Sequence, residues 1–264
     1  MNLSVGLGLA TFLLGAQAKK FPPGTPSVDE IVQRANIMAY YQGKDGRAYV
    51  RMTIRDARGR TRQRRFIILR RDIEDGGEQK FYVYVRGPSD VKGMVFMVWK
   101  HLGRNDGRWL YLPSLDLVKR IAASDKRTSF VGSHYFYEDV SGRNINEDHH
   151  ELIDVTDKYF VLRNRPKKPH TVEFSYCDML IDRKTFLPVQ AEYYGKQGKK
   201  RRIIKGLKIK TIQGKPTVVK AEVQDLCTKG KTTIEFRRVE YDIDLPENIF
   251  TERYLRRPPR KYLR

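Results

Sequence analysis

The feature that most constrains this chain lies in its second half. Seven strand-like stretches follow one another at 151–156, 159–164, 171–181, 188–196, 201–212, 217–227 and 232–243. Several of the links are very short, such as Asp182-Arg183-Lys184, Gly198-Lys199, Gln213-Gly214-Lys215 and Lys229-Gly230-Lys231. A parallel crossover needs a dozen or more residues, so links this short demand hairpin neighbours and an antiparallel meander.

The first half adds more strands. Val50, Met52 and Ile54 alternate with Arg51, Thr53 and Arg55, which gives one dry face and one wet face. Arg58-Gly59-Arg60 supplies a turn, and 63–71 reads as the return strand. Residues 78–86 form another strand, stopped by Gly87-Pro88, and 94–99 (M-V-F-M-V-W) is apolar on both faces. Two short strands follow at 109–113 and 117–122. Residues 124–146 mix Gly, Ser, charges and aromatics, which predicts a loop with one or two helical turns that covers a cavity mouth. One amphipathic helix precedes the strands. Ser27-Val28-Asp29-Glu30 has capping-box form, and Val28, Ile31, Val32, Ala35, Met38 and Ala39 recur at helical spacing before Gly43. A further helical turn is expected in 245–255. The fold class is therefore mainly β with a few helices (α+β). So many antiparallel strands and so few helices leave two architectures open, a two-sheet sandwich or a curled sheet approaching a barrel.

The N-terminus bounds location. Residues 3–16 carry no charge, and Ala16-Gln17-Ala18 is a small-x-small site before Lys19. This is the pattern of a secretory signal peptide over 1–18, although Met1-Asn2 lacks the usual basic residue. The run falls short of the roughly 20 residues of a comfortable membrane span. The expected order is signal peptide 1–18, linker 19–26, one domain 27–255 and a basic tail 256–264. The expected location is the periplasm. The chain holds 52 Lys+Arg against 31 Asp+Glu, a formal charge of +21, which draws it towards anionic surfaces. Export makes nucleic acid a poor partner and favours membrane surfaces or envelope proteins. Cys177 and Cys227 could form a disulfide in an oxidising compartment; two buried free thiols is the other reading.

Motifs of catalysis are absent. There is no G-x-S-x-G elbow, no phosphate-binding P-loop and no H-E-x-x-H pair. Among His101, His134, His149, His150 and His170, only His149-His150 are adjacent, and strand neighbours point to opposite faces. Glu147-Asp148 and Glu138-Asp139 are paired carboxylates without companions, and Asp242 and Asp244 would share a strand face with no third ligand. No cofactor, metal site or enzymatic activity is expected.

Two stretches carry a family resemblance: R-G-P-S-D-V-K-G-M-V-F-M-V-W (86–99) and D-G-R-W-L-Y-L-P-S-L-D-L-V-K-R-I-A-A-S-D-K-R-T-S-F-V-G-S-H-Y-F-Y-E-D-V (106–140). With M-L-I-D-R-K-T-F-L-P-V-Q-A-E-Y-Y (179–194) and D-L-P-E-N-I-F-T-E-R-Y-L (244–255), the chain resembles the outer-membrane lipoprotein-sorting proteins, a group similar to the LolA/LolB carriers. The resemblance implies a strongly curved antiparallel sheet forming an incomplete barrel with helices covering its mouth. It implies a periplasmic carrier of lipoprotein acyl chains or other lipid, serving between an inner-membrane transporter and an outer-membrane acceptor and touching membrane surfaces transiently. The alternative is a non-enzymatic adaptor docking on an RND-type envelope transporter. The chain departs from the group at His134, where Asp is more usual; a pH-responsive loop and a tolerated surface exchange are both open. The expected cavity lining is Val50, Met52, Ile54, Phe96, Val98, Trp109 and Tyr111, residue types that a plain core would equally use.

Overall fold

The computed structural model describes residues 21–264, so the expected signal peptide and the start of the linker lie outside the described residues. Helix α1 (Val28–Tyr40) opens the described chain, and the Ser27 side chain accepts from the Glu30 amide at 3.1 Å. Six strands follow: β1 (Asp45–Arg55), β2 (Thr61–Asp72), β3 (Gln79–Gly87), β4 (Val95–Lys100), β5 (Gly107–Leu112) and β6 (Leu117–Arg120). A crossover containing α2 (Tyr137–Ser141) leads to the meander read from the sequence. Its strands are β7 (Asp148–Val155), β8 (Tyr159–Pro166), β9 (Tyr176–Asp182), β10 (Pro188–Tyr194), β11 (Lys200–Ile212), β12 (Lys215–Asp225) and β13 (Gly230–Tyr241). The short helix α3 (Arg253–Arg256) lies near the C-terminus.

All thirteen strands form one antiparallel sheet in the order β6-β5-β4-β3-β2-β1-β13-β12-β11-β10-β9-β8-β7. Each of the thirteen stretches read as a strand lies on one of these strands, and together they form a single open, curved sheet, which excludes the sandwich. The first and last strands meet in its middle, with Val50 opposite Phe236 and Met52 opposite Ile234. The two edges, β6 and β7, are consecutive in sequence, so residues 121–147 must carry the chain from one edge to the other. Laid flat, thirteen strands at about 4.8 Å spacing would put those edges nearly 60 Å apart. Instead the crossover packs on the concave face. Phe130 lies 5.6 Å from Phe96 and 6.0 Å from Phe66, and Tyr137 lies 5.0 Å from Phe96.

The outer face of β1–β5 is also covered. Ile67, Tyr82, Met97 and Trp109 pack with Leu245, Ile249, Phe250 and Leu263 of the C-terminal segment. Buried Asp45 holds that segment by accepting from the amides of Ile243 (2.8 Å) and Leu245 (2.7 Å). The Tyr82 hydroxyl and the Trp99 indole donate to the carbonyls of Tyr254 and Phe250, both at 2.7 Å. This double cover is why 94–99 is apolar on both faces. The basic tail joins the same cluster through Leu263, and Phe21 of the expected linker packs beside α1. The strand expected at 171–181 begins only at Tyr176, because Pro169–Thr171 forms a single 3-10 turn.

Candidate functional site

The apolar stripe of α1 settles on β7–β10, where Ile31, Val32 and Ala35 meet Leu152, Phe160, Leu162 and Ile181. The helix is held at its far end by β2. Arg70 donates to the carbonyl oxygen of Tyr40, one of the acceptors that a helix C-terminus leaves free, and to those of Gln42 (2.8 Å) and Gly43 (2.6 Å) just past the cap. Gln42 adds a bond to the Pro216 carbonyl at 2.7 Å. One narrow helix cannot fill a sheet this wide, and small residues recur on the facing surfaces: Ala35 and Ala39 from α1, Ala48, Ala191, Gly206 and Ala221 from the sheet. A hollow of about 460 Å³ remains between them, walled otherwise by Met38, Met179, Ile204, Val218, Ile234 and Phe236. A second hollow of about 260 Å³ adjoins it and shares Ile68, Tyr135, Ile234 and Phe236.

One end of the larger hollow is formed by the crossover and is ionic. Buried Glu138 meets Arg127, Lys126 at 2.9 Å and Arg143 at 3.3 Å. Burial alone would raise its pKa, but these three cations outweigh that effect and hold the carboxyl at about 2. Arg143 also pairs with Asp148 at 2.9 Å and Glu147 at 2.6 Å. Asp139 is held by Arg202 and accepts from the Phe136 amide at 2.6 Å. At the other end Arg47 pairs with Glu240 at 2.6 Å. Both ring nitrogens of His150 are taken, by Asn164 Oδ1 at 2.6 Å and the Ile145 carbonyl at 2.7 Å.

The structure divides the seven residues expected to line a cavity. Val50 and Met52 line the smaller hollow. Ile54, Phe96 and Val98 belong to the solid concave core beside it. Trp109 and Tyr111 lie on the opposite face, in the outer cluster. Register explains the separation: Met97 is opposite Trp109 and Phe96 opposite Leu110, and directly opposed residues share a face. Most of the wall comes from β8–β13 and α1, which the sequence reading left out. Its available signal was the period-two apolar face of 215–241 and the small residues set into it.

The other candidates are not gathered into one site. Cys177 and Cys227 are not bonded. Cys177 is buried on the cavity wall, where burial pushes its thiol pKa up; Cys227 is exposed in the β12–β13 turn. Asp242 and Asp244 do not share a strand face, since both follow β13 with φ of 56°. His134 binds Thr232 Oγ1 through its ring Nδ1 at 2.8 Å, and burial lowers its pKa. Among the described residues no cluster of His, Cys, Asp and Glu is arranged to hold a metal.

Comparison with known proteins places this architecture. Among solved structures, a DUF1329 family protein from Desulfovibrio piger superposes with a TM-score of 0.78 at 25% identity, covering 86% of this chain and 97% of its own. A domain assigned as an outer membrane lipoprotein-sorting protein, from Vibrio parahaemolyticus, gives 0.78 at 24% identity with the same coverage. A LolA superfamily protein from Nitrosomonas europaea gives 0.67 at 18% identity, covering 87% of this chain and 100% of its own. These likenesses bear out the LolA-like incomplete barrel expected from the sequence. No curated protein matches the chain. A family model described as "Uncharacterized protein"-like matches residues 77–257, and the chain belongs to that family, with the fold of the LolA-like lipoprotein-sorting proteins.

Proposed function

We propose that the protein is a periplasmic carrier that shelters lipid or lipoprotein acyl chains in the hollow between α1 and the sheet, moving them towards the outer membrane without bond chemistry. The observation that carries this reading is the largely apolar cavity of about 460 Å³ left by small residues on both of its walls. An acyl chain gains about 0.8 kcal/mol per buried CH₂, so a dozen methylenes supply roughly 10 kcal/mol before ordering costs. The resemblance to lipoprotein-sorting proteins supports the periplasmic location, as does the signal-peptide pattern of 1–18. The net charge of +21 suits brief contact with anionic headgroups on the way from an inner-membrane transporter to an outer-membrane acceptor. To test the reading, a fluorescent acyl probe is titrated into the purified protein. Saturable binding with a blue-shifted emission is expected, and a flat titration refutes the carrier.

A second reading, an adaptor docking on an envelope transporter, draws on one feature. Strand β10 pairs with β11 only as far as Lys205, so 206–212 has an uncovered edge with Leu207 and Ile209 exposed. Such an edge accepts an added strand from a partner. A stoichiometric protein recovered by pull-down, with no lipid, favours it.

A further inference from the structure

The positive charge of the chain is not spread evenly over the sheet. Antiparallel neighbours run in opposite directions, so successive turns alternate between its two ends. The pairings put the turns β1–β2, β3–β4, β5–β6, β8–β9, β10–β11 and β12–β13 at one end. The turns β2–β3, β4–β5, β7–β8, β9–β10 and β11–β12 lie at the other. Taken with two strand residues on each side, the first six turns hold fifteen Lys and Arg against five Asp and Glu. The other five hold nine against eight. One end of the sheet is therefore strongly basic and the other is nearly neutral.

At the basic end the acids are already spent. Asp56, Asp90, Asp116 and Glu173 each pair with an arginine, and Asp225 accepts from the amides of Cys227 (2.8 Å) and Thr228 (3.0 Å). Many of the cations are not spent. Arg55, Arg58, Arg86, Lys168, Lys199 and Lys229 come from five different turns, are exposed, and pair with no carboxylate among the described residues. The same end holds apolar side chains out in water. Leu115, at 68% the most exposed large apolar residue described, lies in the β5–β6 turn with exposed Leu117 just after it, and exposed Leu226 lies in the β12–β13 turn. Unpaired cations scattered over five turns, together with leucines, suit a bilayer. Its phosphates are mobile and meet any spacing, and its interface takes up leucine. A protein partner would need acids set at matching positions.

We infer that this end of the sheet is the face that docks on membranes, its cations on the phosphates of anionic phospholipid and its three exposed leucines entering the interface. This rests on the carrier reading and assigns that reading's membrane contact to one end of the molecule, with the opposite end turned to water.

The test uses a reporter already in place. Cys227 is exposed at the docking end and Cys177 is buried, so a thiol-reactive nitrobenzoxadiazole labels Cys227 selectively. The labelled protein is mixed with vesicles of phosphatidylglycerol or of phosphatidylcholine. Brighter, blue-shifted emission is expected with the first and no change with the second. The response should weaken as salt rises from about 0.1 M to about 1 M, where the screening length falls from about 10 Å to about 3 Å. The triple variant Arg58→Gln, Lys168→Gln, Lys199→Gln is expected to bind phosphatidylglycerol vesicles about a hundredfold more weakly, about fivefold for each cation. Arg104→Gln, Lys158→Gln, Lys184→Gln removes the same charge from exposed positions at the other end and is expected to stay within about threefold of wild type. All six positions are exposed, so both variants keep a melting temperature near wild type. Equal losses in the two variants would show that net charge, not one end, attracts the vesicle, and would overturn the inference. So would vesicles that sediment the protein while the Cys227 label stays silent. Capture by soluble polyglutamate with no vesicle binding assigns the basic end to an acidic protein and overturns it as well. No acyl cargo enters this assay, so each of these failures leaves the carrier reading standing, and that reading falls only with the acyl-probe titration.

Discussion

Glu138 is buried among Arg127, Lys126 and Arg143, so replacing it with Gln leaves three cations facing a neutral amide. Breaking a buried ion cluster from one side costs about 3–5 kcal/mol, read as a fall in the urea midpoint of Glu138→Gln. The same carboxyl sets a pH dependence. Its pKa falls from 4.5 to about 2 on folding, so its contribution is complete above about 4.5 and is lost as pH drops through that window. The wild-type urea midpoint is expected to fall between pH 4.5 and 2, and Glu138→Gln to flatten that part of the curve. A second residue-level prediction concerns the chain's two tryptophans. Trp99 and Trp109 pack in a tilted pair, ring centroids 4.9 Å apart and planes at 60°, on the outer face away from both hollows. A brominated acyl ligand should leave their fluorescence unquenched and should quench a tryptophan introduced as Phe236→Trp. This is also where sequence reading had least purchase. Period two shows that Phe96 and Val98 share a face, as do Trp109 and Tyr111. Which face of β5 matches which face of β4 depends on a register that two short strands and a loop do not disclose.

At the scale of elements, α1 was the most legible piece. Its Ser27 cap and apolar spacing are local signals, and the helix sits where they put it, over the sheet. The strands of the second half were legible for the same reason, because short links leave only hairpins. The exception is the start of β9, displaced by a proline turn at 169–171. The attachment of α1 was not legible, because it depends on Arg70, thirty residues away from the Tyr40 carbonyl it caps. Arg70→Met removes one of the two side-chain donors to the Tyr40 carbonyl, leaving Gln79, and strips the donor from the Gln42 and Gly43 carbonyls just past the helix. Amide hydrogen exchange over 28–40 is expected to speed up about tenfold or more, while exchange in β2 and β3 stays near wild type. Unchanged exchange in the helix would show that its apolar face alone holds it.

The whole molecule depends on pairings that no local pattern reports. The β1–β13 pairing joins residues nearly two hundred positions apart, and the crossover then has to bridge the two free edges over the concave face. Contacts of this separation follow from the global curl of the sheet and not from propensity. The hydrophobic segment at 94–99 pointed to burial on both faces, but only the fold shows the two covers, the crossover within and the C-terminal segment without. The consequence is a basic exterior enclosing a charge-balanced hollow. The most direct measurement of whether that hollow holds cargo is native mass spectrometry of the mature protein purified gently from cells, before and after incubation with acyl lipid. The account predicts a discrete added mass of one acylated molecule, removed when the protein is unfolded. A bare polypeptide mass in both preparations would contradict it.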